Sequence, residues 1–311
     1  MSFSVTSTLI MDAARKRGWK VDVINEHWAL YKIILPEGRH YYIRNITSIK
    51  SGSVNGWITR NKEILYGIAS EIGVNIPATI TVQSLEQANQ FLGQHKRAVI
   101  KPTEGSHGDG ITLNITDNSQ LPSAIDYARQ VSDVVLMQQQ VEGDDYRLLY
   151  IGGSIAAAVI RKPAFVIGDG KNSIRKLIEL ENNKPKRGEA YKSNLAYIDL
   201  VVAERYLGKN IDRQIPANNE EIRVIGVANV GQGGVSIDMT HKLSDTLKTA
   251  GQKIVDHFNL GLGGVDFICD EANKPYLIEI NTVPSLGLHE YPYIGEAQNT
   301  PDKFLDWLTN P

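Results

Sequence analysis

The sequence contains almost no cysteine, no long apolar run and no excess of one charge. Cys269 is the only cysteine in 311 residues, which excludes an intrachain disulfide and a zinc site built from cysteine and histidine. The apolar stretch at residues 155–160 is too short to span a bilayer. Lys and Arg total 33 against 35 Asp and Glu. This near-balance argues against a nucleic-acid partner, because nucleic acids are bound mainly through their phosphate backbone. We therefore expect a protein of the reducing cytoplasm, with no nucleic acid and no membrane as partner.

Three common catalytic signatures are missing as well. The sequence has no Gly-x-x-x-x-Gly-Lys-Ser/Thr loop, and no Gly-x-Gly-x-x-Gly follows a predicted strand. It also lacks the Gly-x-Ser-x-Gly elbow of serine hydrolases. Any nucleotide chemistry must therefore use another kind of phosphate site.

The composition is that of a globular protein, with 42% hydrophobic and 22% charged residues. Strand-like and helix-like segments alternate, which predicts an α/β or α+β architecture. Near the N-terminus, residues 8–17 predict a helix, and residues 21–24, 31–35 and 41–43 predict strands. We divide the chain into a short N-terminal α/β unit at 1–58, a second unit at 59–140 and a third at 141–311. The polar, interrupted stretch near 168–221 is interpreted as an insertion or lid that contributes no core.

The sharpest functional signal is a predicted hairpin near the C-terminus, with its tip at residues 272–273. In this register Asp266 pairs with Glu279, and Asn281 lies on the same face. Directly opposed carboxylates destabilise a sheet unless a cation neutralises them, and we expect Ile268 and Leu277 on this face to bury them partly. Two carboxylates and an amide oxygen suit Mg²⁺. The alternative is a solvated polar hairpin.

A second signal is a lysine beside a glycine-rich loop. Lys101 ends a predicted buried strand, and residues 103–110 follow as Thr-Glu-Gly-Ser-His-Gly-Asp-Gly. One ammonium group and several backbone N–H groups can surround a polyphosphate there, and the loop at 105–110 can close over it as a lid. A plain surface loop, with His107 as a solvated histidine, is the alternative.

A third signal is the polar segment that follows the predicted strand ending near Gln138. Backbone groups beyond this point could bind an adenine edge, with Asp145 accepting from ribose hydroxyls, or the segment could be a polar interdomain turn. Arg161, at the end of a later strand, is either a phosphate contact or a surface cation.

Taken in order, these clusters resemble the ATP-grasp superfamily of carboxylate–amine ligases, above all the ATP-grasp portions of bifunctional glutathione synthetase and cyanophycin synthetase. The spacing of Asp266, Glu279 and Asn281 is also similar to that of D-alanine:D-alanine ligases. The motifs that carry the resemblance are Ser7-Thr8-Leu9, Arg17-Gly18, Asn61-Lys62, Val99-Ile100-Lys101-Pro102, Gly105-Ser106-His107-Gly108-Asp109-Gly110, Asp145-Tyr146-Arg147, Arg161-Lys162-Pro163-Ala164, Gly168-Asp169-Gly170, Lys186-Arg187-Gly188, Gly233-Gly234, Ser236-Ile237-Asp238, and His289 with Tyr291-Pro292-Tyr293.

The resemblance implies an ATP-grasp fold in which two α+β subdomains clasp ATP and Mg²⁺ bridges its phosphates. It also implies that the γ-phosphate passes to a substrate carboxylate and that an amine attacks the acyl phosphate. The implied metal ligands are Asp266, Glu279 and Asn281, and the implied catalytic residues are Arg147 and Arg161. The implied ATP contacts are Lys62, Lys101, Gly105, Ser106, His107, Gly108, Gly110, Gln138, Gln139, Val141 and Asp145.

The chain departs from the family pattern at two places. Gln138 stands where many relatives have a hinge acid, and it can still exchange hydrogen bonds with an adenine amino group. Ile225 and Val227 stand where the two named relatives carry Arg and Asn, so the resemblance covers the ATP chemistry better than their particular substrates. We predict a cytoplasmic ligase for small amino-acid or peptide substrates, and the sequence leaves a homo-oligomer open. The rival interpretation is a silent ATP-binding module.

Overall fold

A computed structural model describes residues 3–104, 109–190, 193, 195–226 and 228–310, apart from the side chains of residues 53–55 and 209. The helices are α1 (Val5–Lys16), α2 (Ser53–Arg60), α3 (Lys62–Glu71), α4 (Leu85–His95), α5 (Leu121–Arg129), α6 (Ile174–Asn182), α7 (Leu200–Leu207), α8 (Asp245–Phe258), α9 (Gly287–Glu290) and α10 (Thr300–Thr309). The strands are β1 (Lys20–Asn25), β2 (Leu30–Ile34), β3 (His40–Arg44), β4 (Thr47–Ser48), β5 (Thr79–Thr81), β6 (Ala98–Pro102), β7 (Thr112–Ile115), β8 (Val135–Gln139), β9 (Asp144–Ile151), β10 (Ser154–Lys162), β11 (Phe165–Ile167), β12 (Arg187–Gly188), β13 (Leu195–Ala196), β14 (Glu221–Arg223), β15 (Val235–Asp238), β16 (Leu262–Cys269) and β17 (Pro275–Asn281).

The chain forms two compact units, each assembled from separate stretches of sequence. Unit 1 comprises residues 1–51, 147–242 and 283–311, and unit 2 comprises residues 52–146 and 243–282. The three contiguous ranges proposed from the sequence stay a prediction.

Unit 1 begins with the predicted helix and three predicted strands. Ser4 caps α1 by accepting a hydrogen bond from the Ser7 N–H group, so the helix begins three residues before the expected position. Strands β1 to β4 form an antiparallel sheet in chain order. Farther along the chain, β10 pairs antiparallel with β15, and Arg161 lies opposite Ser236.

The expectation that residues 168–221 contribute no core is wrong. This stretch carries α6 and α7, whose apolar faces pack around a buried cluster of their own that includes Ile174, Ile178 and Ile198. The polar residues that interrupt the sequence therefore mark turns between short packed elements. Ile225 belongs to the same cluster and is 1% exposed, so this side chain serves packing.

Unit 2 contains an antiparallel sheet with the strand order β5-β8-β6-β7. Residues of α4 and α5 join those of β6 and β8 in one buried apolar cluster, which holds the sheet against the two helices. The unit also contains the hairpin β16–β17, against which α2, α3 and α8 pack. These elements position the predicted ATP and metal residues.

Gly143 permits a close backbone approach within unit 2. A Cβ atom at this position would lie 1.9 Å from the carbonyl oxygen of Cys269, a distance that real contacts do not allow. We expect Gly143→Ala to lower the free energy of unfolding by about 3 kcal/mol, because the backbone of β16 must move. Gly93→Ala is the matched control, since Gly93 lies in α4 with nothing within 4 Å of a built Cβ. That variant should gain about 0.5–1 kcal/mol in urea unfolding. Equal stabilities of the two variants would contradict the packing argument.

Candidate functional site in unit 2

Lys101 lies at the centre of a buried polar cluster. It is 4% exposed in β6, and its ammonium group donates to Tyr66 Oη at 2.8 Å and to Gln138 Oε1 at 2.7 Å. The register explains the second contact, because Lys101 pairs with Leu136 and Val99 pairs with Gln138, so both polar side chains emerge on one face of the sheet. Lys101 also lies over the Tyr66 ring, with Nζ 5.2 Å from its centroid.

Lys62 is a second buried lysine in the same unit. It begins α3, its backbone N–H group donates to the Thr103 carbonyl, and its side chain is 8% exposed. Its Nζ atom lies 4.0 Å from Glu279 Oε2. Asn61 caps the helix by accepting from the Ile64 N–H group, which fixes the point at which Lys62 enters the cluster.

Burial disfavours the charged form of both lysines. It lowers the pKa of Lys101 to about 8, against a smaller opposing effect of Glu279. Burial also lowers the pKa of Lys62, where Glu279 acts in the opposite direction and Lys101 adds to the decrease. Two ammonium groups are thus buried in a poorly solvated site, where hydrogen bonds to an anionic ligand would compensate for the water that they have lost.

The β16–β17 hairpin confirms the predicted pairing of the polar residues. Asp266 lies opposite Glu279, and Gly264 lies opposite Asn281. Asp266 is 0% exposed, and the Asn281 amide donates to Glu279 Oε1 at 3.0 Å. The turn lies at the expected place, because the Asn273 N–H group donates to the Asp270 carbonyl.

A β-bulge changes the register beyond Asp266. Phe267 pairs with Leu277, which leaves Ile278 as the extra residue. Leu277 is therefore directed to the face opposite that of Asp266, and the expectation that it shares the carboxylate face is wrong. The Ile278 carbonyl accepts from the Tyr66 hydroxyl at 2.6 Å, which stabilises the bulge.

The donor set of this hairpin fits Mg²⁺. Within the described ranges, no group of three or more His, Cys, Asp or Glu side chains is arranged to hold a metal ion. The predicted set has two carboxylates, from Asp266 and Glu279, and the amide oxygen of Asn281. Hard oxygen donors of this number suit Mg²⁺, which keeps water and substrate phosphates in its other positions. Their role as ligands stays a prediction.

Two residues of the predicted adenine-binding segment, Gln138 and Gln139, already form hydrogen bonds within unit 2. Gln138 accepts from Lys101, and its amide nitrogen donates to Thr79 Oγ1 at 2.8 Å, so this side chain helps to position Lys101. The Gln139 N–H group donates to the Ala78 carbonyl. Val141 and Asp145 are half-buried. Their contacts to adenine and ribose stay predictions.

The remaining predicted residues fall into two groups. Gly105, Ser106, His107 and Gly108 lie outside the described residues. Gly110 is described, and it has a positive φ of 72°. The predicted catalytic residues belong to unit 1, where Arg147 is 7% exposed on β9 and Arg161 is half-buried on β10.

Sequence reasoning missed Tyr66, which connects Lys101 to the β16–β17 hairpin. Its hydroxyl accepts from Lys101 and donates to the Ile278 carbonyl. The available signal was its position four residues after Lys62, since residues four apart share one face of a helix.

Tyr66→Phe should destabilise the protein by about 1–3 kcal/mol, because the Ile278 carbonyl and the Lys101 ammonium each lose a hydrogen-bond partner. Urea unfolding measures the change. Tyr127→Phe is the control, since Tyr127 is 45% exposed on α5, and we expect a change within about 0.5 kcal/mol. If Tyr66→Phe is as stable as the control, the hydrogen bonds of the Tyr66 hydroxyl do not contribute to the free energy of unfolding.

Comparison with known proteins identifies the family. The ATP-grasp domain model matches residues 59–284. The chain is 28% identical to the bifunctional glutathione biosynthesis protein GshAB of Clostridium perfringens, over 98% of this chain and 41% of the relative. It is 29% identical to cyanophycin synthetase of Synechocystis, over 97% of this chain and 36% of the relative. The chain thus spans less than half the length of these relatives.

The fold agrees with this comparison. The crystal structure of a bifunctional glutathione synthetase from Pasteurella multocida superimposes with a TM-score of 0.73, at 23% identity, over 98% of this chain and 43% of that chain. In the described part of the chain, no helix has both the length and the apolar character needed to cross a membrane. The α+β fold with antiparallel sheets and the resemblance inferred from the sequence are both confirmed. The chain belongs to the ATP-grasp family.

Proposed function

We propose that this protein is an ADP-forming ligase that uses ATP and Mg²⁺ to join the carboxylate of an amino acid or peptide to an amine. The observation that carries the proposal is the arrangement in unit 2 of two buried lysines with the opposed carboxylates of Asp266 and Glu279. These are the charges needed to hold a nucleotide polyphosphate together with its metal ion.

The lysines are suited to holding phosphate. Lys101 is fixed by Tyr66 and Gln138, so its ammonium group is oriented before a ligand arrives. Lys62 lies beside Glu279 and adds a second cation. Fixed cations in a poorly solvated site stabilise the negative charge of a phosphoryl group in transfer more strongly than water does.

Asp266, Glu279 and Asn281 would hold the magnesium ion. When bound, the ion supplies positive charge that offsets the phosphate charge. The bond from the Asn281 amide to Glu279 keeps one carboxylate oxygen oriented, and the pairing with Asp266 sets the distance between the carboxylates. The chain thus contributes a ligand set of defined shape.

The silent-module alternative does not explain the opposed carboxylates. Asp266 is fully buried, and like charges directly opposite each other destabilise a sheet. A module relieved of turnover need not keep a complete set of metal ligands. The presence of both carboxylates together with Asn281 favours a site that holds a metal ion for catalysis.

The substrates are proposed to be small amino-acid or peptide molecules that differ from those of the named relatives. Ile225, which stands in place of an arginine in those relatives, lies in an apolar cluster and offers no charge to a substrate. The cytoplasm, where ATP and these substrates occur together, is the proposed location.

The test is phosphate release from ATP with pooled amino acids and dipeptides, followed by mass spectrometry of the products. The proposal requires release that depends on Mg²⁺, on ATP and on the pool, together with a product that has lost one water. Tight MgATP binding without stimulated release or product would favour the silent module. Absence of MgATP binding would exclude both.

A further inference from the structure

His289 is a fully buried histidine of unit 1 whose ring nitrogens have no hydrogen-bond partner among the described residues. Its side chain is 1% exposed, and both Nδ1 and Nε2 are unpaired. Its backbone is fixed, since the N–H group donates to the Leu286 carbonyl and the carbonyl accepts from the Gln298 N–H group. Buried polar groups in folded proteins almost always have a partner, and each unmade bond costs about 1–3 kcal/mol. The imidazole therefore lacks two partners that a ligand could supply.

Burial, together with two nearby cations, disfavours the protonated form of the His289 ring. Burial lowers the pKa of His289 to about 3, with Arg147 on β9 and Lys303 on α10 adding to the decrease and Asp238 on β15 opposing it. A neutral imidazole has one donor and one acceptor nitrogen. Because burial disfavours the protonated ring, these surroundings favour a binding role for the two nitrogens over a general-base role.

Two of the three charged groups that act on the ring, Lys303 and Asp238, are already engaged. Lys303 Nζ donates to the Ala156 carbonyl at 2.6 Å. Asp238 accepts from the Thr240 N–H and hydroxyl groups through Oδ1 and from Gln298 through Oδ2. Both are thereby held in place around the imidazole without bonding to it.

Both predicted catalytic arginines lie in the surroundings of α9. The Ser236 hydroxyl donates to the carbonyl of Leu288, the residue before His289, so Ser236 faces this helix. Arg161 lies opposite Ser236 in the β10–β15 pair and therefore emerges on the same face of the sheet. Arg147 is close enough to His289 for its charge to act on the ring. One guanidinium group thus acts on the His289 ring, and the second emerges on the sheet face that carries Ser236.

We propose that His289 is a substrate-binding residue, whose ring donates to the carboxylate and accepts from an N–H group of an amino-acid or peptide substrate held by Arg147 and Arg161. This inference rests on the proposed ligase function and names one residue of its substrate site. A ligand with both a carboxylate and an N–H group satisfies both ring nitrogens. A simple anion such as acetate or phosphate satisfies only the donor nitrogen.

The test combines three variants with a matched control. His289→Leu removes both polar atoms, while His289→Asn and His289→Gln each keep one donor and one acceptor. His241→Leu is the control, because His241 is an exposed histidine of the same unit. We expect His289→Leu to raise the KM for the amino-acid or dipeptide substrate about tenfold or more, with the KM for ATP unchanged. The Asn and Gln variants should recover part of the lost substrate affinity. His289→Leu should unfold at a urea concentration no lower than that of wild type, because it removes unpaired buried groups.

A second readout does not depend on turnover. In protein labelled with ¹⁵N-histidine, the pooled amino acids and dipeptides should shift both His289 nitrogen signals, whereas sodium acetate or inorganic phosphate should shift at most one. If wild type turns over and His289→Leu matches His241→Leu in every KM, the inference is wrong and the ligase proposal stands. If wild type shows no stimulated phosphate release, the ligase proposal fails, and unchanged nitrogen signals would then reject the binding role as well. Should His289→Leu fail to fold, the Gln variant and the nitrogen signals decide.

Discussion

Glu279→Gln should lower kcat/KM for MgATP about 100-fold while leaving unit 2 folded. The amide keeps the size of the side chain and can still accept from the Asn281 amide, but it removes one of the two charges assigned to the metal ion. It also removes the carboxylate 4.0 Å from Lys62 and the group that opposes the low pKa of Lys101. Loss of a charged metal ligand costs several kcal/mol of transition-state stabilisation, and about 3 kcal/mol corresponds to 100-fold in rate.

The measurement is steady-state phosphate release at several magnesium concentrations. The activity lost by the Glu279 variant should be largest at limiting Mg²⁺. Glu271→Gln is the matched control, since Glu271 is an exposed carboxylate in the turn of the same hairpin and should behave as wild type. Full activity of Glu279→Gln at limiting magnesium would show that the hairpin carboxylates are structural only.

The hairpin shows what a sequence can and cannot predict about such a site. The pairing of Asp266 with Glu279 followed from a short turn and from two strands of alternating pattern, both of which are local. The bulge at Ile278 did not follow, because its carbonyl is bonded by the hydroxyl of Tyr66, which lies 212 residues away in the chain. Contacts of that separation depend on the folded arrangement.

The same distinction applies to the lysine cluster and the insertion. Lys101 was predicted at the end of a buried strand, but its bond to Gln138 depends on the β6–β8 register, which no local pattern specifies. Residues 168–221 were interpreted from their polar turns. The short helices between those turns bury Ile174 and Ile178 only by packing against one another. The apolar periodicity within any one of these segments therefore did not predict a core.

Lys101→Met should weaken ATP binding about 10- to 100-fold at pH 7, because it removes the proposed charged donor to phosphate, and such a hydrogen bond contributes about 1.5–3 kcal/mol. Methionine keeps an unbranched apolar chain of similar length in the buried strand. Calorimetric titration with a non-hydrolysable MgATP analogue measures the change. Lys248→Met is the control, since Lys248 lies half-exposed on α8 in an ion pair with Asp245.

Because the pKa of Lys101 is low, the stability and the ATP affinity of wild type should depend on pH in a way that those of Lys101→Met do not. Burial lowers this pKa from 10.5 to about 8, so between these values the unfolded chain binds more protons than the native protein, and stability rises with pH. Below about pH 8 both states are charged, and the full penalty of the buried charge is present. The Lys101 contribution should thus increase the free energy of unfolding by about 3 kcal/mol between pH 8 and 10.5, and Lys101→Met should remove that increase. ATP affinity should fall over the same range, because the free protein loses the ammonium charge that we propose binds phosphate. Parallel pH profiles for wild type and Lys101→Met, in stability and in ATP affinity, would contradict the assignment of Lys101 as a phosphate-binding residue.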